Sequence, residues 1–229
     1  MPMTTEINAE NSRSWRSQGG SSIVETVMVV AIAALIGAAA LPQIINSRRL
    51  IRSVSLPREV ATQLRYTRQQ AMSQRQAFTF QYDDSTKTIK IFDHNNVDNA
   101  SSSCNITGIQ VLSAAGYPNT ACTTTLMTIP LATGAGLPAS EVSYGIPSGI
   151  SGSALDDGNT ITSLVNSKVN ITFQSDGTVV DTSGNFARPT LFFYNNVMPS
   201  QTAAAISVLG AAGRIKVWRY STSASKFAE

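Results

Sequence analysis

The stretch that decides the fold is Gly20-Ser21-Ser22-Ile23-Val24-Glu25-Thr26-Val27-Met28-Val29-Val30-Ala31-Ile32-Ala33-Ala34-Leu35-Ile36-Gly37-Ala38-Ala39-Ala40-Leu41-Pro42. From Ser22 to Leu41 it is almost wholly apolar, and Glu25 is its one charge. A helix of that length, at about 1.5 Å per residue, spans roughly 30 Å, the thickness of a bilayer core. A carboxylate inside such a segment costs on the order of 2–3 kcal/mol or more, so Glu25 calls for a partner. An uncleaved signal anchor and a secretory signal peptide are the ordinary readings. A secretory signal sets Lys or Arg beside a shorter apolar run that ends in a small-residue cleavage site. Here the run is long, the Gly19-Gly20 pair precedes it, and Glu25 is out of place.

Gly20, Glu25, the apolar run that follows and Pro42 together resemble the class III signal of type IV pilins and pseudopilins. The resemblance implies that a prepilin peptidase cuts after Gly20 on the cytoplasmic side and methylates the new amino terminus, Ser21. Ser21 departs from the Phe or Met more usual at that place. Glu25 is then the fifth residue of the mature chain. The freed ammonium of Ser21, or that of an adjacent subunit, neutralises the Glu25 carboxylate in hydrocarbon. That pairing sets the axial register of helices stacking into a filament, with Glu25 and Pro42 as assembly residues. A protonated Glu25 facing lipid headgroups is the alternative. The implied partners are the peptidase, other pilins or pseudopilins, and the inner membrane, with the body in the periplasm.

The 229 residues allow one domain beyond a membrane helix, or at most two small ones. Hydrophobic content of 42% and charge of 14% suit a globular body with a polar surface, and a net charge of +3 is too small to argue for nucleic acid. Residues 1–20 are polar, with Arg13 and Arg16 balancing Glu6 and Glu10, and read as a leader peptide. Residues 21–42 are the transmembrane and polymerisation helix, 43–76 its amphipathic continuation, and 77–229 a β-rich body. Arg48, Arg49 and Arg52 follow the apolar run, so the positive-inside rule alone would leave the body in the cytoplasm. The resemblance implies the opposite orientation.

Val60, Leu64, Thr67 and Ala71 keep 3.6-residue spacing, while Arg58, Arg65, Arg68, Gln69 and Gln74 occupy other faces. The pattern predicts a long helix from about Ile23 to about Gln76, kinked or briefly interrupted near Pro42 or Pro57. Ser55 is a candidate cap with Pro57 in the first turn. The arginines read as a solvated face, with acidic-lipid or subunit contacts as the sharper alternative. After Gln76 the period changes to two: Phe78, Phe80 and Tyr82, a polar turn at Asp83-Asp84-Ser85-Thr86-Lys87, then Ile89 and Ile91 predict a hairpin. Further strands are predicted at 124–131, 141–146, 168–174, 178–181, 190–195, 204–209 and 214–220. Residues 93–123 read as a loop excursion and 147–163 as a loop. The fold class is α+β: a long helix packed on an antiparallel sheet or sandwich.

Three further pieces resemble GspH/FimT-type minor pilins. Leu64-Arg65-Tyr66-Thr67-Arg68-Gln69-Gln70-Ala71 is similar to the family's Leu-x-x-Ala-Arg-x-x-Ala helix end. Phe173-Gln174-Ser175-Asp176-Gly177 resembles its Phe-x-x-x-Gly turn, and Ile206-Ser207-Val208 with Gly213-Arg214-Ile215-Lys216-Val217 resembles its closing hairpin. The resemblance implies a minor pilin or pseudopilin that initiates or caps a type IV pilus or a type II secretion pseudopilus.

Cys104 and Cys122 enclose 17 residues. They read as a disulfide that staples the excursion, which would contribute roughly 3 kcal/mol by chain entropy and would require an oxidising compartment. Two free thiols are the alternative. The single His94 is isolated and reads as surface-solvated. One His cannot serve a Ser/His/Asp set, and no phosphate-binding Gly-rich loop opens a helix, so neither an enzyme nor a cofactor is expected. Asp83-Asp84 and Asp156-Asp157 sit in turn-like contexts, and no metal site is expected. In the strand at 214–220, alternation puts Arg214, Lys216, Trp218 and Tyr220 on one face and Ile215, Val217 and Arg219 on the other. Cations beside aromatics suit DNA through phosphate attraction and base stacking. Some FimT-branch proteins carry a DNA-binding Gly-Arg-x-Arg motif, matched here by Gly213, Arg214 and Lys216, with Lys replacing the second Arg. An exposed strand face that is basic by chance is the other reading. A membrane-anchored periplasmic domain that never polymerises is a further one.

Overall fold

A computed structural model describes residues 22–94, 123–131, 136–150, 155, 159–181 and 185–229. The proposed cleavage site at Gly20 and Ser21, both cysteines and Asp156-Asp157 lie outside the described residues, as does most of the 93–123 excursion. The chain divides after Ile45 into two compact units.

Helix α1 runs from Ile23 to Gln74. Its helical backbone passes both Pro42 and Pro57, so the brief interruption expected near one or the other does not occur. A proline removes one N–H from the ladder, and the helix persists where neighbouring turns keep theirs. Ser55 therefore caps nothing: its hydroxyl donates back to the Arg52 carbonyl at 2.6 Å, and the Ser53 hydroxyl donates to the Arg49 carbonyl at 2.8 Å. The helix ends at Arg75, which turns left-handed with φ 55°, and the Gln76 N–H closes back on the Ala71 carbonyl at 3.2 Å.

Nine strands follow among the described residues: β1 (Phe78–Asp83), β2 (Thr88–Asp93), β3 (Thr124–Pro130), β4 (Val142–Tyr144), β5 (Lys168–Phe173), β6 (Thr190–Asn195), β7 (Ala204–Leu209), β8 (Arg214–Ser221) and β9 (Lys226–Ala228). A 3₁₀ turn, Ala139–Glu141, leads into β4, and a one-turn helix α2, Pro199–Thr202, precedes β7. All ladder pairs are antiparallel. They form a four-stranded sheet in the order β3-β2-β1-β5 and a five-stranded sheet in the order β4-β6-β7-β8-β9. The fold is α+β, a long N-terminal helix packed on antiparallel sheets.

The stripe read from spacing is the buried one: Val60, Leu64, Thr67 and Ala71 are all 0% exposed. Val60, Leu64 and Ala71 share one core with Phe80 and Tyr82 of β1, Ile89 of β2, Ile171 and Phe173 of β5, Phe193 of β6 and Ile206 of β7. Each Val, Leu, Ile or Phe side chain among them contributes about 1.5–3 kcal/mol by leaving water. The outer face of the five-stranded sheet carries a second cluster, in which Leu155, Phe192, Ala205, Trp218 and Phe227 are buried. Ile146, Ile150 and Ile161, from the Gly/Ser-rich stretch read as a loop or beside it, pack against that cluster.

One strand expectation fails and one strand goes unpredicted. Residues 178–181 form only isolated bridges, Phe173 with Val179 and Val180 with Phe186. The Val179 N–H goes to Gly210 while its carbonyl takes the Ala187 N–H, so its bonds go to two different segments. Strand β9 has no sequence signal, because three residues are too few to show a period.

Candidate functional site

The first half of α1 is apolar all round. Leu35 is 74% exposed and Ile32 60%, and none of its most apolar 18-residue window is buried by the chain. Among the described residues this is the one helix long and apolar enough to cross a membrane. Glu25 lies in its first turn and is exposed. The Thr26 N–H closes on the Ser22 carbonyl at 3.1 Å, so helical bonding starts at the first described residue. Pro42 falls within the helix.

The second half is fastened to the body at two places that sequence reasoning missed. Arg68 was read with the solvated arginines, but it is half-buried. Its Nε donates to the Gly177 carbonyl at 3.3 Å and its Nη2 to the Ala212 carbonyl at 3.0 Å. Gly177 and Gly213 both hold positive φ, 80° and 58°. A Cβ on Gly213 would stand 2.0 Å from the Gly177 carbonyl oxygen and 2.4 Å from Arg68 Nε, so only glycine fits there. The three motif pieces, the helix end with Arg68, the Phe-x-x-x-Gly turn and the Gly-Arg hairpin, thus meet at one point. Their separation along the chain hid that convergence.

The other fastening is a polar hub on Asn195. Its Nδ2 donates to Ser53 Oγ at 3.1 Å and to Glu141 Oε2 at 3.0 Å, and its Oδ1 accepts the Val197 N–H at 2.8 Å. Arg49 reaches Glu141 at 3.5 Å. Lone Ser, Asn and Glu residues in separate segments gave no sequence signal for it.

Strand β8 only partly keeps the arrangement read for nucleic acid. Arg214 is exposed, 3.9 Å from Glu229, and the Lys216 ammonium donates to Glu229 at 2.7 Å. That hydrogen bond, with the charges of Lys216 and Arg214, holds the Glu229 carboxyl below its ordinary range despite some desolvation. Lys216 also stands 4.8 Å from the centre of the Trp218 ring. Trp218 itself is 4% exposed and its Nε1 donates to Ser207 Oγ at 2.8 Å, so it presents no face on which a base could stack. The opposite face matches the alternation: Ile215 and Val217 pack on the main core and Arg219 is exposed.

His94 is not solvated. It is fully buried, its ring Nε2 2.6 Å from Thr79 Oγ1, and Thr79 in turn is 2.8 Å from Thr172 Oγ1. Burial pushes its pKa down to about 4. The hairpin turn at Asp83-Asp84 forms as read, with Asp83 Oδ1 accepting the Ser85 N–H and hydroxyl. Among the described residues no three His, Cys, Asp or Glu side chains gather into a metal-holding group.

No family model matches the chain. No curated protein matches it either. Among solved structures it is similar to the type IV minor pilin FimU of Pseudomonas aeruginosa in two crystal forms. One aligns at 19% identity over 81% of this chain and 97% of that one, with a TM-score of 0.41. The other aligns at 19% identity over 76% and 96%, with a TM-score of 0.39. At that identity and TM-score nothing about this chain's assembly follows from the likeness.

Proposed function

We propose that the chain is a minor pilin or pseudopilin, a structural subunit that initiates or caps a type IV pilus or a type II secretion pseudopilus. One observation carries the reading: an apolar helix that nothing among the described residues covers, with one acid in its first turn, continues unbroken into a helix buried in a β-rich body. Such a segment needs lipid before assembly and neighbouring helices after it. The leader ends at Gly20, the peptidase methylates Ser21, and Glu25 answers the new ammonium. The helix anchors in the inner membrane with the body in the periplasm, where Cys104 and Cys122 can join. The test is mass spectrometry of the chain co-expressed with a prepilin peptidase. The expected product begins at N-methylated Ser21. A mature chain that keeps its first 20 residues removes the reading and leaves a non-polymerising anchored domain.

The second reading is a FimT-like DNA-binding minor pilin acting in DNA uptake. Exposed Arg214 beside Lys216 favours it. Trp218, being buried, has no stacking part in it. It predicts salt-sensitive DNA binding that Arg214→Ala with Lys216→Ala removes, and undiminished binding by that double variant rejects the assignment.

A further inference from the structure

Helix α1 and strand β8 leave an open groove of about 450 Å³ between them within the body. Its helix wall is built from Arg58 and Arg65, two turns apart on one face, with Ala61 and Thr62 between them as a low floor. Its strand wall is Val217 and Arg219, which share the helix-facing side of β8. All three guanidiniums are exposed, and none has an ion-pair partner among the described residues. Glu229 closes one end, but its carboxylate is committed to Lys216 and Arg214 on the far side. Three planar cations therefore face one small space with no anion assigned to them. Like charges held together destabilise a fold unless a counter-charge arrives.

We infer that this groove docks an acidic segment of a neighbouring subunit, with two or more carboxylates seated against Arg58, Arg65 and Arg219. Exposed arginines attract carboxylates by charge and by charge-assisted hydrogen bonds, and lysines at the same places would supply both. Two features favour a peptide over nucleic acid. No aromatic side chain lines the groove, so a base has nothing to stack on. The cations also form a compact trio rather than a stripe tracking a phosphate backbone. That the carboxylates belong to a neighbouring subunit rests on the filament reading above, whereas capture of an acidic peptide does not, so the two fail separately.

The test uses the full chain in non-ionic detergent, with poly-L-glutamate as probe and mixed-sequence duplex DNA as competitor. The polymer is expected to bind at low salt and to weaken as salt rises. Arg58→Gln, Arg65→Gln and Arg219→Gln together should weaken it by about tenfold, from a few-fold per exposed ion pair. The matching triple Lys variant keeps the charges and should retain binding, and thermal melts of both triple variants should overlay the parent. No binding of the polymer at low salt overturns the proposal, as does binding unaffected by the Gln substitutions. Loss of binding in the Lys variant, or DNA that displaces the polymer in a manner dependent on these three arginines, also overturns it.

Discussion

The two halves of α1 share a backbone conformation and a wealth of apolar side chains, yet they live in opposite surroundings. In the first half every side of the helix is apolar, and residues such as Ile23 and Leu35 are 83% and 74% exposed. In the second half the apolar residues recur on one stripe, and Val60 and Leu64 are 0% exposed. A stripe of that width is a complete design for a body that supplies its own cover. An all-round apolar surface is not, because no single sheet can cover all of it. The contrast teaches that the described body covers only one half of this helix. Its charges follow the same division. Arg68 in the second half holds two carbonyls of its own chain, whereas Glu25 in the first sits exposed on a helix that carries no cation until Arg48.

The largest expected effect comes from truncating one leucine in each half. Leu64→Ala opens a cavity among Phe80, Phe173 and their neighbours and should lower the stability of the body by about 2–5 kcal/mol. Leu35→Ala removes a side chain that the chain does not bury, and should move the same denaturant melt by no more than about 0.5 kcal/mol. Tryptophan fluorescence of the full chain in detergent reads both, since Trp218 is buried in the body. Equal losses from the two substitutions would break the contrast.

Acid should sharpen it next. His94 is held neutral by burial, with a folded pKa of about 4 against an ordinary value near 6.5. Between those values the unfolded chain binds more protons than the folded one, so stability falls as pH drops through that window. The loss is on the order of 3 kcal/mol and is fully recovered above about pH 6.5. His94→Gln should flatten this part of the pH profile. The apolar half contains no histidine, so its retention in membranes should not follow the same curve.

Much of the fold was legible because the periods are strong. The 3.6-residue spacing through Val60, Leu64, Thr67 and Ala71 names the buried stripe, alternation in 78–82 names the first strand, and apolar runs mark 190–195 and 204–209. Ser55 misled, since it bonds backwards inside the helix instead of capping. The misjudged polar residues are those whose partners are distant. Arg68 reaches across 109 and 144 residues to its two carbonyls, and His94 meets Thr79 on an adjacent strand. Trp218 carried a half-right signal: alternation gave its face, but the cover over that face comes from Leu155, Phe192 and Phe227, which no local pattern announces.

The smallest effect in a melt carries the most weight for assembly. Arg68→Met leaves the Gly177 and Ala212 carbonyls without their donor and should cost the body about 1–3 kcal/mol, with filament incorporation falling only as far as folding does. Glu25→Gln should do the reverse. The described residues give Glu25 no role in the body's core, so the melt should overlay the parent while incorporation is lost. The amide keeps the shape of the acid, removes its charge and turns one acceptor oxygen into a donating NH2. A defect confined to incorporation therefore places the missing counter-charge on the processed amino terminus, its own or a neighbour's. Unimpaired incorporation would mean that the first half of the helix assembles on apolar packing alone.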